Sequence, residues 1–69
     1  MARVSELMID NPQMQSYAEL KRAVVAAAQA GEIHLFMDIK PEFADTPRFW
    51  ERDLEITFQH VEPARHDRL

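Results

Sequence analysis

The chain has no cysteine and a single glycine among its 69 residues. The first absence excludes disulfide cross-links. The second leaves little scope for the close backbone approach on which phosphate-cradling loops depend. A chain of this length removes only about 60% of its unfolded surface from water when it folds, and domains so small make up the shortfall with disulfides, metals or partner subunits. The histidines, His34, His60 and His66, lack the paired spacing of a structural zinc site. Oligomerisation is the route left open, and a homodimer is expected.

Long apolar runs are missing as well. None approaches the length needed to span a bilayer, and "MARVSELMIDNPQ" has neither the basic flank nor the apolar centre of an export signal. A cytoplasmic location, away from membranes, is the expectation. Basic charge is scarce: the formal net charge is -4, and between Glu32 and Glu62 eight acids face three bases. Nucleic-acid binders concentrate Lys and Arg on one surface because phosphate neutralisation drives their affinity, so this balance argues against such a partner. With 46% hydrophobic and 29% charged residues, the composition is that of a folded domain and not of a disordered chain.

Residues 1–11 hold Val4, Leu7 and Met8 at the spacing of a short helix. Asn11-Pro12 is a helix-start signal, since Asn caps through its side-chain oxygen and Pro suits the first helical position. Ser16 and Glu19 form a second one, with the spacing of a capping box. A helix within 12–31 is expected, starting at either signal, with Met14, Tyr17, Leu20, Val24, Ala27 and Ala28 on one stripe and Gly31 as its left-handed terminator.

Two alternating segments follow. In "EIHLFMDIK", residues 32–40, Ile33, Leu35, Met37 and Ile39 alternate with His34, Phe36, Asp38 and Lys40. In 53–62, Leu54, Ile56 and Phe58 alternate with Asp53, Glu55, Thr57 and Gln59. Period-two alternation is the strand signature, and an antiparallel pairing would bring Ile39 beside Leu54, Met37 beside Ile56 and Leu35 beside Phe58. The connection, 41–52, carries Phe43, Phe49 and Trp50, with Asp45 or Thr46 placed to cap a turn entered through Pro47. The tail, 63–69, is polar and expected to be flexible. The expected fold is α+β: one main amphipathic helix on a two-stranded antiparallel β-hairpin, with a long aromatic connection, completed by dimerisation.

No catalytic, cofactor-binding or metal-binding residue is assigned. His34 and Asp38, with His60 near them on the second strand, read as a solvated strand face, which normally alternates polar residues outward. The carboxylates Glu42, Asp45, Glu51, Asp53 and Glu55 flank a loop and do not converge from separate elements. The chain also lacks a nucleophile elbow. An enzyme is the class the sequence supports least, and no small-molecule substrate is inferred.

Phe36 lies on the strand side opposite the apolar row, and Phe43, Phe49 and Trp50 have no evident place in the helix-on-hairpin core. These four are the expected protein-contact residues. The function expected is that of a small acidic, non-enzymatic interaction or regulatory protein, homodimeric, which binds another, unidentified protein. The alternative is a small DNA-binding regulator, because a helix leading through Gly31 into a hairpin is similar in order to winged-helix and Cro-like topologies; Lys21 and Arg22 would then contact nucleic acid.

Overall fold

The computed structural model describes residues 1–61, and its longest helix starts where the capping box predicts. Helix α2 (Tyr17–Gln29) has Ser16 as N-cap, its hydroxyl accepting from the Glu19 N–H at 3.1 Å, a bond worth about 1 kcal/mol over alanine. The Glu19 carboxylate reaches back to the Gln15 N–H at 2.5 Å, one residue earlier than in a regular box. At the other end Gly31 adopts a φ of 104°. Its N–H donates to the Ala28 carbonyl and the Glu32 N–H to the Ala27 carbonyl, both at 3.1 Å, the paired bonds of a Schellman terminus.

Of the two starts the sequence offers, the one at residue 12 is not used. Helix α1 (Val4–Asp10) precedes, and Asn11 closes it: its backbone N–H donates to the Met8 carbonyl at 3.3 Å and its side-chain amide to the Leu7 carbonyl at 2.7 Å. The Met14 N–H then donates to the Asn11 carbonyl at 2.9 Å. Pro12 therefore leads a turn, a position its fixed φ suits as well as a helix start.

The antiparallel hairpin is absent, and this is the main correction to the expected fold. Strand β1 (Ala2–Arg3) pairs in parallel with β2 (Leu35–Phe36), Ala2 opposite Leu35 and Arg3 opposite Phe36. Parallel neighbours need a crossover of a dozen or more residues, which α1 and α2 supply. The expected strand 32–40 thus contracts to two residues. The expected strand 53–62 is helical through His60, within α3 (Trp50–His60); Glu62 and the tail 63–69, including His66, lie outside the described residues. Counted from Trp50, the apolar positions Trp50, Leu54, Phe58 and Val61 recur at helical steps. The alternation of Leu54, Ile56 and Phe58 arises only when counting starts at Asp53, and Ile56 lies on the exposed side of the helix. Among the described residues the result is an α+β fold of three helices and a two-stranded parallel sheet. Without a hairpin, the ground for a winged-helix or Cro-like order is gone.

The core sits where the three helices meet. Val4, Leu20, Val24 and Leu54 are fully buried, joined by Tyr17 and Trp50. Leu7, Met8, Met14, Leu35, Met37, Phe43 and Phe58 pack around them. Helix α2 packs chiefly on α3, and the small sheet closes one side through Leu35.

Candidate functional site

The segment between β2 and α3 provides caps for helices that are remote in sequence. Asp38 accepts from the Ser5 N–H at 3.1 Å and from the Ser5 hydroxyl at 2.5 Å, at the start of α1, where the N-cap residue Arg3 makes no side-chain capping bond. Asp45 accepts from the N–H groups of Tyr17 at 2.7 Å and Ala18 at 3.2 Å, the first two residues of α2. The opening N–H groups of a helix have no intrahelical acceptor and carry the positive end of its dipole, so a carboxylate is favoured there. The bond from the Ser5 hydroxyl holds the Asp38 carboxyl below its ordinary pKa. The bond from the Tyr17 N–H does the same for Asp45. Pro41, fully buried between the two aspartates, anchors the segment.

These roles alter the sequence reading of individual polar groups. Asp45 caps α2 and not the turn at Pro47. The Thr46 hydroxyl accepts from the Phe43 N–H, and its own N–H donates to the Phe43 carbonyl, both at 3.1 Å. Asp38 is committed to Ser5, while His60 stands on α3 with Nδ1 2.8 Å from the Ile56 carbonyl oxygen. Among the described residues no three potential metal ligands gather.

A second polar cluster joins α2 to α3. The Tyr17 hydroxyl donates to Asp53 at 2.8 Å and lies 3.3 Å from the Trp50 carbonyl oxygen. Lys21 Nζ is 3.2 Å from the same Asp53 oxygen. Burial, then the bond to Asp53, pushes the Tyr17 phenol well above its ordinary pKa, because both disfavour a phenolate. A phenol so held is a poor nucleophile or proton acceptor at neutral pH, and its place is that of a tie between helices. Lys21, a residue of the nucleic-acid alternative, is thereby engaged with Asp53. Arg22 is exposed and lines a shallow depression with Glu19.

The four aromatic residues expected to make contacts divide into two pairs. Trp50 is only 7% exposed and belongs to the core, and Phe43 packs half-buried against it. Phe36 is 42% exposed and Phe49 64%. Leu35 and Met37 pack on the core, so strand alternation sends Phe36 to the other side. Sequence reasoning missed the outward placement of Ile33, 79% exposed, and of Ile39 and Ile56. For Ile56 a signal existed: it is seven residues from Phe49, on one line of a helix and off the Trp50–Leu54–Phe58 stripe.

A cleft of about 290 Å³ opens between the β2 segment and α3. Ile33, His34, Leu35 and Met37 form one wall, and Glu55, Phe58 and Gln59 form the other. It combines apolar surface with one carboxylate, one imidazole and one carboxamide. Compared with the models of known protein families, with curated proteins and with solved structures, the chain matches none.

Proposed function

We propose that this protein works without catalysis, as a small acidic homodimeric interaction module that binds another protein. The observation that supports this reading is the outward placement of Phe36 on the face of β2 away from the core. A two-stranded sheet gains little from packing on one side only, and a second apolar layer over Phe36 would complete it. The small core of one copy gives the same incentive. Many of the polar groups described above are tied to helix ends or to the α2–α3 contact, which leaves the surface, more than a pocket, to carry function.

Sedimentation equilibrium over a wide concentration range tests this. The expected outcome is a reversible dimer for the natural chain and a monomer with unchanged far-UV circular dichroism for Phe36→Glu. A natural chain that stays monomeric throughout, or a Phe36→Glu variant that dimerises equally well, would overturn the homodimer.

A further inference from the structure

We infer that the cleft between β2 and α3 receives an extended peptide of mixed apolar and basic character, which adds to the free edge of β2 as a third strand. The inference rests on the reading of the protein as one that binds other proteins, and names the form in which the partner is bound.

Three observations carry it. The first is which edge of β2 the cleft follows. The cleft is lined by Leu35 of β2, by Ile33 and His34 just before it and by Met37 just after it. No residue of β1 lines it, so it follows the edge β1 leaves open. The second is the backbone on that edge. The Ala2 N–H donates to the His34 carbonyl at 2.9 Å, and alternate residues of a parallel strand point their N–H and C=O to opposite sides. The N–H and C=O of Leu35 therefore point away from β1, and among the described residues neither has a backbone partner. A groove between an open strand edge and a helix is the geometry in which an extended peptide gains main-chain hydrogen bonds from the strand and side-chain pockets from both walls.

The third is charge. Glu55 projects from α3 into the cleft. Among the described residues its one polar side-chain contact is with the Gln59 amide at 3.5 Å, and no cation there pairs with it. Across the cleft stand the apolar Ile33, Leu35 and Met37 with His34 among them, and Phe58 shares the wall of Glu55. An occupant that alternates apolar and basic side chains satisfies both walls at once. An acidic strand would place like charges together, and a wholly apolar one would leave Glu55 facing hydrocarbon.

The test uses the full chain, labelled with nitrogen-15 and titrated with a short synthetic peptide alternating lysine and valine. The amide shifts are expected to concentrate at Ile33–Met37 and Glu55–Gln59, with exchange of the Leu35 amide slowed about tenfold. The same peptide N-methylated on the amides of one edge should bind about tenfold more weakly, through loss of main-chain bonds. Glu55→Lys should weaken the lysine–valine peptide about tenfold at low salt and favour a glutamate–valine peptide instead. Phe36→Glu, which breaks the proposed dimer, should leave all of this unchanged, so the two readings fail separately. Shifts centred on Phe49 and Ile56, indifference to N-methylation, or a Leu35 amide already protected without peptide would each overturn the inference.

Discussion

Helices α2 and α3 pack on each other, yet they are specified in different ways. In α2 both ends carry local signals, Ser16 with Glu19 at one end and Gly31 at the other, to which Asp45 adds a distant acceptor at the start. In α3 the N-cap is Phe49, which makes no side-chain bond, and the C-cap is Val61 in extended conformation. What α3 has instead is partners: Trp50 and Leu54 in the core and Asp53 bonded to Tyr17 and Lys21. Short helices are marginal in water and draw most of their stability from an apolar face packed on something else. The comparison shows that one helix is written in its own sequence and the other in the surface it meets.

The largest expected effect tests that dependence. Leu54→Ala should destabilise the chain by about 2–5 kcal/mol, a large fraction of the roughly 5–15 kcal/mol available to a native domain. Urea denaturation followed by circular dichroism measures it. In amide exchange under native conditions the loss should fall first on α3, whose ends are uncapped by side chains, and only then on α2. Equal loss of protection in both helices would show that α3 has as much local stability as α2 and would remove the contrast.

The same contrast explains what could be read from the chain. The α2 body, its capping box and its glycine terminator were legible because they obey local rules within a dozen residues. The helical period of α3 was present as well, from Trp50 through Leu54 and Phe58, but Ile56 and Thr57 are β-branched and imitate a strand. The pairing of Ala2–Arg3 with Leu35–Phe36 was not legible at all. Two residues carry no periodicity, and their partner lies more than thirty positions away. At the candidate site, Phe36 and Phe49 were recognisable as surplus aromatics, whereas the capping roles of Asp38 and Asp45 depend on contacts that span 27 to 33 residues.

A smaller effect tests the polar tie between the helices. Tyr17→Phe removes the bond to Asp53 while keeping the buried ring, and should cost about 1 kcal/mol at neutral pH. The phenol has a raised folded pKa, so its contribution is complete below the unfolded value of about 10 and is lost as pH rises through the folded one. The stability gap between the natural chain and Tyr17→Phe should therefore narrow above about pH 10. A gap that stays constant through that range would mean that the hydroxyl contributes nothing that depends on its proton.

The smallest effect concerns the aspartate caps, which assist α1 and α2 and leave α3 without a counterpart. Both carboxylates have lowered pKa values in the folded state. Their contribution is therefore present above the unfolded value of about 3.9 and is lost as pH falls through the folded values. Both groups are solvent-exposed, so screening by water and salt keeps the effect modest. Asp45→Ala should be less stable than the natural chain at pH 7, with faster amide exchange at Tyr17 and Ala18 and little change along α3. As pH falls from about 4 through the lowered folded value the two chains should converge, because the natural carboxyl becomes protonated and the cap is weakened in both. Faster exchange spread equally over α2 and α3 would mean that the cap steadies the whole interface, and α2, for all its local end signals, would then lean on tertiary contacts as much as α3 does.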